Sequence, residues 1–178
     1  YRGEVRLAGE VRSFRSPAEA LGAGLGMVHQ EFMLIPGFSV AENIKLNREP
    51  TRPNFASHLF GRSLETLDLA RTGADARAAL DRVGLSLDEW LPVSGLPVGH
   101  MQFIEIAREV DKREVKVLIF DEPTAVLTES DSSRLLRVMK DLAAEGLGIL
   151  FITHRLDEVL AVADEITVLR DGEVAARL

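Results

Sequence analysis

The sequence predicts an α/β protein built around a parallel sheet, and three observations carry that prediction. Val117-Leu118-Ile119-Phe120 and Gly148-Ile149-Leu150-Phe151-Ile152-Thr153 are short apolar runs separated by one helical stretch, which is the strand, helix, strand order of a parallel crossover. Unbroken apolar runs of this length read as strands buried on both faces of a sheet. Each run stops abruptly at residues with chemistry: the first at Asp121-Glu122-Pro123-Thr124, the second at His154. Ligands of parallel sheets sit just beyond the carboxyl ends of the strands, and Pro123, without an N–H for the ladder, ends its strand there.

The remaining elements follow in chain order. Glu4-Val5-Arg6-Leu7 and Glu10-Val11-Arg12, joined through Ala8-Gly9, alternate as an antiparallel hairpin does. Ser16-Pro17-Ala18-Glu19-Ala20-Leu21 starts a short helix with proline in its first turn, and Gly22-Ala23-Gly24 breaks it. Leu25 to Val28 is a buried strand that delivers Gln30 to a sheet end, Pro36-Gly37 turns the chain, and Ser39-Val40-Ala41-Glu42 is a capping box opening a helix to about Leu46. From about Asn47 to Gly61, with Pro50 and Pro53, no periodicity is visible and a loop is expected. Ser63 to Arg71 and Ala74 to Val83 carry Leu64, Leu67 and Ala70, then Ala78, Leu80 and Val83, at helical spacing, with Gly84 placed for a C-cap. The segment between Gln30 and Gly99 is therefore expected to be mostly helical.

Leu96-Pro97-Val98-Gly99-His100-Met101-Gln102 opens a further helical pattern. After the strand at 117–120, helices are expected from about Ser130 to Glu145, ended by Gly146, and from about Leu156 to Ala163, on either side of the second strand. The chain closes with Glu165 to Leu169 and Glu173 to Ala176 around Asp171-Gly172, a strong signal for a tight hairpin turn.

Composition narrows the functional classes. The 178 residues carry a net charge of −7 and no cysteine, which removes disulfides and a Cys-bound metal and argues against nucleic acid as a partner. No apolar stretch reaches the roughly 18 to 20 residues that span a bilayer. Tyr1-Arg2-Gly3-Glu4-Val5-Arg6 lacks the apolar core of a secretory signal and an initiator methionine, so an upstream segment is expected.

The chemistry-bearing residues suit phosphoryl transfer. Asp121 is placed to position Mg²⁺, which binds through few carboxylates and many waters, and Glu122 to orient an attacking water. An imidazole at His154 can donate a hydrogen bond to a terminal phosphate. Gln30 offers a neutral carbonyl oxygen that can ligate Mg²⁺ or hold the water. Gly99 and the following helix N-terminus can present amides to an anion. The remaining histidines, His29, His58 and His100, make no metal cluster, and Trp90 reads as a packing or surface residue.

Gly26-Met27-Val28-His29-Gln30-Glu31-Phe32, Leu96 to His100, Val117 to Thr124 and Gly148 to His154 stand in an order and spacing that resemble the nucleotide-binding domain of ATP-binding cassette (ABC) transporters, over essentially the whole chain. The resemblance puts Gln30 at the Q-loop, Leu96, Pro97, Val98, Gly99 and His100 at the signature motif, Asp121 and Glu122 at Walker B, and His154 at the switch histidine. It implies a P-loop NTPase-like parallel sheet with an antiparallel hairpin and a helical subdomain inserted after the Q-loop: residues 1–30 and 96–178 in the catalytic core, 31–95 in the helical part. ATP and Mg²⁺ are the implied cofactors. Transmembrane permease subunits, a second cassette (fused or as a homodimer) and, indirectly, a solute-binding protein are the implied partners, at the cytoplasmic face of the membrane. Phe32 to Ala41 would lie near the surface that receives a coupling helix of the permease. Met27 to Phe32, the D-E-P-T phrase followed by Leu127-Thr128, and Val168 to Glu173 resemble more narrowly the first cassette of simple-sugar and nucleoside importers.

The chain departs from the family at three places. The signature is commonly L-S-G-G-Q; Pro97 offers neither hydroxyl nor amide hydrogen, and Val98 replaces a glycine. Thr128 stands where the D-loop usually carries an aspartate. No G-x-x-x-x-G-K-[ST] occurs, so the first strand, phosphate loop and first helix are expected to precede Tyr1, and the chain alone is expected to bind ATP poorly and hydrolyse it negligibly. The alternatives are a catalytically degenerate regulatory cassette and a soluble, non-transport cassette ATPase.

Overall fold

A computed structural model describes residues 4–55, 57, 61, 64–112 and 114–178. His58, Ser63 and Tyr1, named above, lie outside the described residues. The elements are β1 (Val5–Leu7), β2 (Glu10–Arg12), α1 (Pro17–Gly22), β3 (Leu25–Val28), α2 (Val40–Lys45), β4 (Thr51–Arg52), β5 (Thr66–Leu67), α3 (Leu69–Arg82), α4 (Val98–Val110), β6 (Val117–Asp121), α5 (Glu129–Ala144), β7 (Gly148–Ile152), α6 (Leu156–Val162), β8 (Thr167–Arg170) and β9 (Glu173–Arg177).

The central sheet is parallel, in the order β3-β6-β7. Its register sets the rim: Val28 pairs with Phe120, and Asp121 with Ile152, so all three strands end together. Gly26, Val28, Leu118, Phe120, Ile149 and Phe151 share one face, which packs into a core with Phe103, Ile104, Ile106, Leu135 and Leu142 from α4 and α5. Gly26 fits closely there, since a Cβ would fall 2.7 Å from Leu118 Cδ2 and 2.9 Å from Glu109 Oε2 and would displace those side chains. The opposite face carries Leu25, Met27, Val117, Ile119, Leu150 and Ile152. The expectation of strands buried on both faces is corrected here. Leu150 and Ile152 are 52% and 46% exposed because β7 is the last strand of the sheet and the described residues cover only one face.

Local chemistry explains the other elements. Ser39 accepts from the Glu42 amide while Glu42 Oε2 accepts from the Ser39 amide at 2.7 Å, a full capping box at the start of α2. At the last hairpin Asp171 and Gly172 both take positive φ, 51° and 81°, as a tight primed turn demands. Two expectations fail between 47 and 71. Thr51–Arg52 is not loop but pairs antiparallel with Thr66–Leu67. The helix expected from Ser63 starts only at Leu69, because Asp68 caps it by accepting from the Arg71 amide at 3.0 Å. Leu64 and Leu67, whose spacing suggested a buried helical face, are 47% and 54% exposed. The segment after Gln30 is thus less helical than expected: among its described residues α2, α3 and the backbone at Phe55 and Ser57 are α-helical.

Candidate functional site

The site is built at the carboxyl rim of β3, β6 and β7. Asp121 is the last residue of β6, and the Glu122 amide donates to the Ile152 carbonyl at 2.9 Å, the final rung of the ladder. Glu122 then takes φ +46°, a left-handed conformation that costs a non-glycine residue on the order of 1 kcal/mol and points to a functional constraint. The turn aims its carboxylate across to the next strand. Glu122 Oε1 lies 3.2 Å from His154 Nδ1, two residues past the end of β7. Gln30, two residues past β3, is exposed and belongs to the same rim by register, since Val28 lies opposite Phe120. The structure therefore brings Asp121, Glu122 and His154 together and sets Gln30 on the neighbouring strand end.

Asp121 is half-buried, and its side chain makes no hydrogen bond or ion pair among the described residues. An unpartnered carboxylate on a sheet rim, with an amide oxygen on the adjacent strand end, fits Mg²⁺. That ion takes one or two carboxylates and completes its octahedron with waters and phosphate oxygens. Among the described residues no group of three or more His, Cys, Asp or Glu could hold a metal ion. Glu122 and His154 fit the water and terminal-phosphate side of a nucleotide site. The G-x-x-x-x-G-K-[ST] motif that would cradle the remaining phosphates does not occur in the sequence.

The signature segment opens α4. Leu96 and Pro97 precede α4, and Val98, Gly99 and His100 form its first turn. Glu109 accepts from the Met27 amide at 3.3 Å, and Glu105, one turn earlier, accepts from the Met33 amide, so α4 runs antiparallel to β3. Seven residues separate Glu105 from Val98, which carries the helix N-terminus about 10 Å further in the direction in which β3 runs. Pro97 supplies no side-chain cap, and the first amides of a helix lack intrahelical acceptors, so this end can receive an anion. Gly99 faces the Asp131 carboxylate closely enough that a Cβ would fall 2.8 Å from Oδ2. Thr128 is the N-cap of α5, accepting from the Asp131 amide and donating to Asp131 Oδ2 at 2.7 Å.

Several residues escaped sequence reasoning. Glu105 and Glu109 are buried on a helix otherwise lined with Phe103, Ile104, Ile106 and Ala107, and together with Arg108, which donates to the Met33 carbonyl at 3.0 Å, they fasten the segment around Gln30 to α4. The detectable signal was two acids one turn apart inside an apolar stripe. Burial pushes the Glu105 carboxyl above the usual carboxylate range, against the Met33 amide and the nearby Arg108 and His29, which favour the charged form. The folded chain thus binds this proton more readily than the unfolded chain. The penalty of the buried charge is absent below the ordinary carboxylate pKa and grows as pH rises through the folded value. Glu105→Gln keeps an acceptor for the Met33 amide and removes that charge. It is expected to melt above the parent chain at pH 8, by about 2–4 °C for each kcal/mol relieved, with the gap closing toward pH 4 in thermal melts across that range.

Comparison with known proteins places these features in context. The sequence profile of the ABC transporter family matches residues 1–125. The ribose import ATP-binding protein RbsA of Chelativorans sp. (strain BNC1) is 41% identical over 174 residues, 98% of this chain and 31% of that protein. The nucleoside import ATP-binding protein NupA of Lactococcus lactis subsp. cremoris (strain MG1363) is 41% identical over 171 residues, 96% of this chain and 31% of that protein. The chain thus spans about a third of the length of the curated relatives it matches. Among solved structures, a nucleotide-free ATP-binding cassette from an ABC transporter superposes with a TM-score of 0.79 over 99% of this chain and 69% of that one, at 23% identity, a likeness of fold.

Proposed function

This chain belongs to the ABC transporter family, and we propose that it is part of an ATP-binding subunit that couples ATP hydrolysis to import of a sugar or similar polar solute. The observation that carries this reading is the pairing of Glu122 with His154 at 3.2 Å beside an unpartnered Asp121 on one sheet rim. In it, Glu122 orients and deprotonates the attacking water, and His154, placed beside Glu122, donates a hydrogen bond to the terminal phosphate. Asp121 and Gln30 would hold Mg²⁺, which would neutralise charge on the phosphates. Val98, Gly99 and His100 present the α4 N-terminus to a nucleotide on a second cassette.

Residues 31–95 act as the helical subdomain on the 1–30 and 96–178 core. Just after Gln30, Met33, Ile35 and Phe38 are 58%, 37% and 39% exposed, an apolar surface suited to a coupling segment of a membrane permease. No described helix is long and apolar enough to cross a membrane; in the proposed reading this chain docks on permease subunits at the cytoplasmic face. A solute-binding protein would take part only through the permease. A degenerate, regulatory cassette is the second reading, favoured by the uncapped Pro97 and by Thr128 serving α5; the aligned Glu122 and His154 oppose it.

The reading is tested by transport. Deleting the gene is expected to abolish uptake of at least one solute in a labelled panel of pentoses, hexoses and nucleosides; unchanged uptake of all of them overturns it. By calorimetry, Mg-ATP is expected to bind tightly only to a longer protein that includes a G-x-x-x-x-G-K-[ST] segment. Tight binding by the 178 residues alone would contradict the assigned division of the site.

A further inference from the structure

The ladder between β6 and β7 ends at Asp121 and Ile152, yet the two groups that must meet, Glu122 and His154, lie beyond it. Both are partly exposed, with side-chain exposures of 33% and 72%, and each is the other's side-chain partner. Something must hold their two loops in register. Glu158, on the first turn of α6 and only 2% exposed, is placed to do so.

Glu158 Oε2 accepts from the Thr124 hydroxyl at 2.8 Å and from the Thr153 hydroxyl at 3.4 Å. Thr124 is two residues after Glu122 and itself 2% exposed; Thr153 is the residue before His154. The Arg155 guanidinium lies 2.8 Å from Glu158 Oε1, while the Arg155 amide donates to Thr153 Oγ1 at 3.1 Å. One buried carboxylate therefore ties the loop after β6 to the loop after β7. The chemistry demands an acid: it must accept from two hydroxyls and also compensate a cation, which an amide cannot do, since its NH₂ would face Arg155. The tie also supports the left-handed turn at Glu122, a conformation that persists only where its surroundings over-determine it.

We propose that Glu158, through Thr124 and Thr153, is a positioning residue that sets the separation of Glu122 and His154. It does not reach the reacting atoms; it holds the two groups that do. The inference rests on the proposed function, and the experiment separates the two. In the longer, ATP-hydrolysing protein, Thr124→Val keeps the shape and removes the hydroxyl, Thr124→Ser keeps the hydroxyl, and Glu158→Gln keeps one acceptor and loses the ion pair.

Thr124→Val and Glu158→Gln are expected to lower kcat at least about tenfold, because displacement of reacting groups by about 1 Å can cost two orders of magnitude, with KM for ATP within about twofold of the parent. Thr124→Ser is expected to restore kcat. In the 178-residue chain, hydrogen exchange at the Glu122 and Arg155 amides is expected to accelerate in Glu158→Gln while the core amides of β6 stay protected. Parental kcat in Thr124→Val, a fall that Thr124→Ser does not rescue, or a uniform loss of protection across the sheet overturns the proposal. Should Glu158→Gln fail to fold, the Thr124 pair decides alone. If Glu122→Gln also leaves turnover unchanged, it is the functional reading that fails; if Glu122→Gln abolishes turnover and Thr124→Val does not, only the positioning role of Glu158 fails.

Discussion

Glu122→Gln, in a longer protein with the proposed ATPase activity, is expected to lower steady-state turnover by a factor of about 10² to 10⁴, the range a positioned general base contributes, and to leave nucleotide binding in place. The expectation follows from geometry. The carboxylate stands one residue past the end of β6, held in a left-handed turn by the Ile152 carbonyl below it and aimed at His154 Nδ1, 3.2 Å away. Glutamine fills the same volume and can still meet His154, so the fold and the rim survive. It cannot take a proton from water. Binding is expected to survive because, in the proposed reading, nucleotide is held elsewhere, by a phosphate loop, by Asp121 with Gln30, and by the α4 N-terminus of a second cassette. The measurement is phosphate release at saturating Mg-ATP together with equilibrium binding of a fluorescent nucleotide. Turnover equal to the parent would remove Glu122 from the chemistry and favour the regulatory reading, in which Pro97 and Thr128 mark a site that does not cycle.

The rim was legible in the sequence because its signals are local. An apolar run that stops at Asp121-Glu122-Pro123 states both the strand and its end, and a second run that stops at His154 repeats the message. The capping box at Ser39 and the Asp171-Gly172 turn are equally local, and both form as expected. Two kinds of feature were hidden. Burial on the second face of a sheet depends on what lies across it, which Leu150 and Ile152 cannot reveal from their own run of residues. The spacing of Leu64, Leu67 and Ala70 fits a helix, yet pairing of Thr66–Leu67 with Thr51–Arg52 takes those residues into a ribbon, and Asp68 delays the helix. Long-range partners were hidden for the same reason. Glu158 is four residues from His154 but 34 from Thr124, and only the closeness of two strand ends gives it a role.

Asp111→Ala is expected to destabilise the chain by about 3–5 kcal/mol, the cost of stranding a buried charge, and so to lower the melting temperature by roughly 10 °C or more. Asp111 follows the last turn of α4, with its side chain 9% exposed. Its Oδ2 lies 3.0 Å from Lys45 Nζ and 2.7 Å from Arg48 Nη1, and Lys45, itself 9% exposed at the side chain, also reaches Asp75 at 2.9 Å. These four residues come from α2, the turn after it, α3 and the end of α4, so Asp111 joins α2 to the helix that begins at the signature, and Lys45 extends the cluster to α3. Removing it leaves Lys45 shared with Asp75 alone and leaves Arg48 without its carboxylate, though Arg48 still donates to the Ile44 and Arg108 carbonyls. Asp75→Asn should cost far less, since Asp75 is 34% exposed and water can replace it at Lys45. The comparison that isolates the mechanism is the pair Lys45→Met with Asp111→Leu. Breaking a buried ion pair is costly while exchanging both partners for apolar residues is often neutral, so the double variant should recover most of the stability lost in Asp111→Ala. Equal destabilisation in Asp75→Asn and Asp111→Ala, read by chemical denaturation, would show that burial of this cluster does not set its energy.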